Sequence, residues 1–327
     1  MGPSPLQEAN VPGSPEAASP RSCGGGEGGA ARSLTVLLPS GARVHVRAWD
    51  SGADGGLPVC VLLHGFGDSS RVWDAFAQTL ARTRAVLAID LKGHGDSSWD
   101  PDGDYRLESY VGDIFEVLER LADRRLALVG HSLGGMLCMS LAADPRLDVA
   151  GLLLVDASTS HTPMAVRHML RMFRDGHRGY ASVGEFASAL VASRPMSEPA
   201  AVRGYAPHLL VQRDALWWPR ADARLAEGSD LNSAAVEERL VQALRRCGCP
   251  ALLVRGACSG FVSAESALRV SELLPACDYV EIAGAGHAVM LDQPAAFEQL
   301  ALNFLHRLPS RPDDRRDTGS VGVSCCA

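Results

Sequence analysis

The sequence predicts an α/β fold built on a mostly parallel sheet with helices on both faces. Short apolar runs alternate with helical patterns through most of the 327 residues, the order expected of one α/β core. Most of those runs are apolar at successive positions instead of alternating with polar ones, which suits strands covered on both sides. A hydrophobic fraction of 46% is ample material for such a core.

Taken along the chain, residues 34–38 and 44–48 read as two strands joined by Pro39-Ser40-Gly41 as a hairpin turn. Further strand patterns fall at 59–63, 85–89, 126–129, 151–155, 251–254 and 279–282. Residues 70–82 place Val72, Trp73, Phe76 and Leu80 on one helical face, and 105–121 do the same with Leu107, Val111, Ile114 and Leu118. A small-residue helix is expected over 135–143 and a terminal helix over 294–308. From 158 to 237 the strand rhythm stops and helical patterns take over, at 164–173, 183–193 and 200–210. The expected division is therefore a core of 33–157 and 238–309 with a helical insertion at 158–237. Residues 1–32, rich in Pro, Gly, Ser and Ala, and 310–327 are expected to be disordered.

A net charge of −7 with no block of like charge gives no electrostatic reason to expect nucleic acid or an anionic membrane as partner. A small molecule is the expected ligand, and oligomeric state is left open. The nine cysteines are odd in number and several sit in apolar patterns, which predicts free thiols in a reducing, cytoplasmic setting. Cys247-Gly248-Cys249 has no second pair at zinc spacing, so no metal site is expected. Residues 1–32 lack the apolar run of a secretory signal, and no segment has the apolar length of a membrane span.

Gly130-His131-Ser132-Leu133-Gly134 follows an apolar run and precedes a helical one, the strand–G-x-S-x-G–helix order of a nucleophile elbow. Glycine at both ends removes side chains where a tight strand-to-helix turn would crowd them. Such a turn lifts the Ser132 hydroxyl above the sheet and turns the Leu133 N–H toward any negative charge forming beside it. His64-Gly65-Phe66-Gly67 follows the strand at 59–63 and offers the Phe66 N–H as a second oxyanion donor. Leu91-Lys92-Gly93-His94-Gly95-Asp96-Ser97 follows the next strand, and Gly284-Ala285-Gly286-His287 follows the last. His287 is thus placed as a base that reaches back to Ser132.

These four motifs, in this order, make the chain resemble the α/β-hydrolase superfamily over about 34–308, and more closely its bacterial esterase- or epoxide-hydrolase-like members. The segment 213–222, with Trp217-Trp218, is similar to a Trp-rich lid segment found there. The resemblance implies an α/β-hydrolase fold with a helical lid at 158–237, and a serine hydrolase that needs no cofactor. Met164, Met169, Met172, Phe173, Phe186 and Leu209 are expected mostly to pack the lid. Trp217 and Trp218 are the expected pocket walls, with His64 as a further substrate contact.

The acid is the gap in this pattern. Related sequences carry it in the loop after the strand at 251–254, as R-G-x-x-S-D; here that position holds Gly260. Asp156, at the carboxyl end of the strand at 151–155, is the best substitute. A Ser132–His287 dyad and an altered activity stay open beside it. The expected reaction is cleavage of a small or medium, fairly apolar ester, thioester or lactone. Epoxide hydrolase and dehalogenase chemistry is disfavoured, because those relatives use Asp where this chain has Ser132. The alternatives are a cofactor-free lyase, cyclase or transferase, or a binding protein that keeps only the pocket.

Overall fold

The computed structural model describes residues 30–50, 56–121 and 123–310. The expectations for the termini therefore lie outside the described residues, except that Arg32 already opens the first strand. The chain runs β1 (Arg32–Leu37), β2 (Arg43–Trp49), β3 (Val59–Leu63), α1 (Asp74–Leu80), β4 (Val86–Ile89), α2 (Leu107–Glu119), β5 (Leu126–His131), α3 (Leu133–Ala142) and β6 (Val149–Val155). The insertion follows, with α4 (Pro163–Gly176), α5 (Val183–Ser193), α6 (Pro199–Tyr205), β7 (Leu210–Arg213) and β8 (Leu216–Pro219). The core resumes with α7 (Ala234–Arg246), β9 (Ala251–Gly256), α8 (Ala264–Leu273), β10 (Cys277–Ile282), α9 (Val289–Asp292) and α10 (Pro294–His306).

Eight strands form one sheet in the order β1-β2-β4-β3-β5-β6-β9-β10. β1 and β2 pair antiparallel, as does β2 with β4, and the other pairings are parallel. Side chains alternate between the two faces with period two. Val61, Leu63, Leu128, Leu152, Leu154 and Leu253 enter the cluster beneath α2, α3, α7 and α8. Cys60, Leu62, Val129, Leu153, Val155 and Val254 enter the opposite cluster with Trp73, Phe76, Phe297 and Phe304 of the α1 and α10 side. Both faces are apolar because both are covered, which is why these strands read as unbroken apolar runs.

Two parts of the sequence reading change. The insertion is not wholly helical. β7 and β8 form a separate antiparallel hairpin, closed by a two-residue turn in which Asp214 takes φ +54°. Asp tolerates that left-handed conformation better than most residues. The expected lid boundary at 237/238 falls inside α7. The Ser233 hydroxyl accepts the Val236 N–H and caps that helix at its start, and Val236, Leu240 and Leu244 pack in the core. The six parallel strands β3, β4, β5, β6, β9 and β10 all direct their carboxyl ends to one edge of the sheet, where the site lies.

Candidate active site

β5 ends at His131, and Ser132 makes the turn into α3 with φ +52° and ψ −115°. A non-glycine residue held there is strained, as the serine of a strand-to-helix elbow is. The flanking glycines are required sterically. A Cβ on Gly130 would lie 2.3 Å from the Gly134 carbonyl oxygen, and one on Gly134 would lie 2.3 Å from that of Leu63. The Gly134 N–H donates to the His64 carbonyl at 3.1 Å, tying the elbow to the loop after β3.

Ser132 Oγ lies 3.0 Å from His287 Nε2, and His287 Nδ1 lies 2.6 Å from Asp156 Oδ2. Asp156 is fully buried at the end of β6, with φ +43°. Its Oδ1 accepts the Gly256 N–H at 3.0 Å, and Oδ2 also accepts the Ser259 hydroxyl at 2.6 Å. Ser259 Oγ accepts the N–H groups of Phe261 and Val262, which leaves its proton for Asp156. Three donors converge on one carboxylate, which can only accept. The Nδ1 proton of His287 is thereby fixed, and the Nε2 lone pair faces Ser132. The loop after β9 thus presents Ser259 to Asp156 in place of a carboxylate of its own, while Gly260 beside it is exposed with open space around its Cα.

Among the described residues, neither the Phe66 nor the Leu133 backbone N–H has a hydrogen-bond partner in the protein. The loop that carries Phe66 is held from below. The Gly67 N–H donates to His94 Nε2 at 3.0 Å, while His94 Nδ1–H donates to the Lys92 carbonyl at 2.9 Å. Burial lowers the pKa of His94 to about 3, so the ring stays a neutral acceptor. His131 is likewise lowered to about 3, by burial and then by His287; its Nε2–H donates to the His287 carbonyl at 2.8 Å and braces that loop.

Three expected substrate contacts, His64, Trp217 and Trp218, lie elsewhere than the cavity beside Ser132. His64 has no exposed surface. Its Nε2 accepts the Leu91 N–H at 3.0 Å and its Nδ1–H donates to the Gly65 carbonyl at 2.8 Å, so both ring nitrogens serve the backbone. Trp217 and Trp218 lie on β8 away from the cavity. Trp217 exchanges two backbone hydrogen bonds with Tyr180, at 2.8 and 2.9 Å, and the Trp218 ring packs by Gly179. Trp217 is partly buried against the cluster that includes Tyr180, Phe186 and Leu209.

The cavity beside Ser132 holds about 480 Å³ of empty space, part of it open to solvent. Phe66, Leu133 and Met136 form its floor, and Val166, Met169 and Leu170 of α4 its roof. Leu231 and Phe261 close it, with His161, Ser229 and Asn232 as polar members. Of the lid residues named from sequence as apolar candidates, Met169 alone lines it. Val166 and Leu170 of α4 and the 229–232 segment were missed because only tertiary packing brings them over Ser132. Among the described residues, His45, Asp90 and Asp96 are the single group of three with metal-ligand atoms close together. The Asp90 oxygens are already engaged by the Ser70 N–H, the Asp96 N–H and His45 Nδ1, so this cluster is a post that joins three loops.

A parallel sheet whose strand ends deliver a strained serine, a histidine and a buried carboxylate in series defines an α/β hydrolase architecture. Residues 60–300 match the family model described as the alpha/beta hydrolase family, and the chain belongs to that family. It is 29% identical over 262 residues to an esterase of Mycobacterium tuberculosis, covering 77% of this chain and 84% of that protein. It is 27% identical over 249 residues to a 2-(acetamidomethylene)succinate hydrolase of Mesorhizobium japonicum, covering 76% and 88%. Among solved structures, an E-2-(acetamidomethylene)succinate hydrolase superposes with a TM-score of 0.75 at 26% identity, covering 84% of this chain and 99% of that one. A structure of the M. tuberculosis esterase gives 0.68 at 26% identity, covering 85% and 93%. No helix among the described residues is long and apolar enough to cross a membrane.

Proposed function

We propose that the protein is a serine hydrolase that cleaves a small or medium, fairly apolar carboxylic ester, thioester or lactone through an acyl-enzyme on Ser132. The observation that carries this is the hydrogen-bonded series Ser132–His287–Asp156 opening onto an apolar cavity. His287 Nε2 takes the Ser132 proton as Oγ attacks the carbonyl carbon. The resulting oxyanion is held by the Phe66 and Leu133 N–H groups. His287 then gives its proton to the leaving oxygen or sulfur. Water gives a proton to the same nitrogen as it attacks the acyl-enzyme, and that proton passes to Ser132 Oγ as the acyl–oxygen bond breaks and the carboxylic acid departs. The steps use side chains and backbone alone. In this reading Asp156, 2.6 Å from His287 Nδ1, takes the acid role that Gly260 leaves empty, which supports catalysis over a binding protein that keeps only the pocket. The dispersed free cysteines, four of them buried, favour a cytoplasmic setting. Ser132→Ala should abolish covalent labelling by a fluorophosphonate probe while leaving the thermal midpoint nearly unchanged. Undiminished labelling of the variant would overturn the assignment.

A further inference from the structure

Cys247-Gly248-Cys249-Pro250 links the end of α7 to the start of β9. This turn lies at the amino-terminal edge of the sheet, opposite the edge that carries Ser132. Both thiols are buried, with 1% and 7% of their residues' surface exposed, while Gly248 and Pro250 beside them face solvent. The two Sγ atoms lie 3.5 Å apart. Among the described residues, no other two cysteine sulfurs lie within hydrogen-bond distance of each other. Cys277, on the neighbouring β10, turns its thiol to the Asp278 carbonyl at 3.5 Å. The reaction proposed for Ser132 uses none of these groups.

The pair is chemically unequal. The hydrogen bond between the two thiols holds Cys247 below the ordinary thiol range and raises Cys249. Cys249 therefore keeps its proton and shares it with Cys247, whose thiolate is the better nucleophile. Cys60 and Cys138 have no second sulfur beside them, and burial pushes both up, Cys60 to about 12. Geometry permits the two sulfurs to join. A disulfide needs them about 2.05 Å apart, so the pair must close by roughly 1.5 Å. Gly248 provides the slack. It has no side chain to restrict the turn, and a Cβ built there would meet nothing within 4 Å. The slight exposure of the sulfurs admits a small oxidant and keeps out a bulky one.

We infer that Cys247 and Cys249 form a modification site, a dithiol that a small hydroperoxide converts reversibly to a disulfide. Cys247 sulfur attacks one peroxide oxygen; the S–O bond forms, the O–O bond breaks, and the other oxygen leaves as water. Cys249 sulfur then attacks Cys247 sulfur, and the sulfenic hydroxyl departs with the Cys249 proton as a second water. Two thiols are oxidised to one disulfide and the peroxide is reduced to water. The new bond ties the end of α7 to the start of β9 and spares Cys247 from irreversible oxidation. The test uses the full chain and hydrogen peroxide, raised until the exposed Cys258 reacts, followed by alkylation in denaturant. Trypsin releases both sulfurs in one peptide, 247–255, bounded by cleavage after Arg246 and Arg255. Its doubly alkylated form should fall about tenfold or more in favour of an unalkylated one, with recovery in dithiothreitol, while Cys60 and Cys138 stay alkylated. In Cys249→Ala the reaction should stop at a Cys247 sulfenic acid that dimedone captures, and in Cys247→Ala, Cys249 should stay unmodified. Should these variants unfold, the wild-type peptide decides. A peptide that stays doubly alkylated while Cys258 is oxidised overturns the site. So does one that gains oxygen that dithiothreitol cannot remove, or one found cross-linked to a different cysteine.

Discussion

Asp156→Asn tests the relocated acid, and the surrounding hydrogen bonds fix how it should fail. Oδ1 faces the Gly256 N–H, and Oδ2 faces both the Ser259 hydroxyl and His287 Nδ1. An asparagine that keeps its oxygen at the Oδ2 position turns its NH2 toward the Gly256 N–H. In a site with no exposed surface, that opposition of donors leaves a buried N–H unpaired, at about 1–3 kcal/mol. The flipped amide satisfies Gly256 but presents N–H to His287 Nδ1. The imidazole must then carry its proton on Nε2, where it can no longer accept from Ser132. Loss of the productive tautomer costs ~10⁴ in turnover in serine proteases, and two or more orders of magnitude are expected here. The assay is kcat on any ester that Ser132 processes, with the thermal midpoint as a check on folding. Gly260→Asp in the same variant should recover part of the activity. Gly260 is exposed, its Cα has room for a side chain, and its φ lies outside the left-handed region, so an Asp fits without strain. Turnover of Asp156→Asn within about tenfold of wild type, a change of only ~1.4 kcal/mol, would refute the relocated acid and leave a Ser132–His287 dyad.

Ser259→Ala removes one of the three donors on Asp156 and should lower kcat about tenfold with KM little changed, from the worth of a hydrogen bond to a charged group; Ser259→Thr should restore most of the loss, and an equal fall in both variants would make Ser259 a packing residue only. Trp217→Ala should destabilise the fold by roughly 1–3 kcal/mol without changing substrate preference, measured by denaturant unfolding beside an ester panel. Acid should weaken the protein well above the carboxylate range. His94 and His131 are held to about 3 in the native state, against ~6.5 in an unfolded chain, so the unfolded state binds more protons and stability rises with pH. The loss should begin as pH falls through ~6.5, with a slope of roughly 2–3 kcal/mol per pH unit near pH 5 from these two rings. A flat stability between pH 6.5 and 4 would show that they protonate in the folded protein.

The elbow and the six parallel strands were legible because their signals are local. Unbroken apolar runs mark strands covered twice, and Gly130 and Gly134 mark a turn that admits no side chain. Asp156 was legible by position, since a carboxylate at the end of β6 must face the site edge. What supports it was not. Ser259 occupies the serine position of the R-G-x-x-S-D pattern, but its contact with Asp156 spans 103 residues and the pattern gives it no role. His64 was misread for a related reason. A histidine in an oxyanion loop looks available to substrate until both nitrogens are seen bonded to backbone. The lid hairpin was hidden by its brevity, four residues in each strand, too short to establish a period. Trp217-Trp218 then suggested a pocket, whereas aromatic residues are also common strand formers.

The absence of fully buried residues from α4 bears on how such an enzyme could diversify. The cavity floor of Leu133 and Met136 belongs to the core, whereas its roof of Val166, Met169 and Leu170 does not. A substitution on the underside of α4 alters the shape presented to a substrate at little cost to folding, whereas the same change on α3 would disturb the sheet. New specificities are therefore open to this lineage by single steps, without a stabilising mutation having to come first.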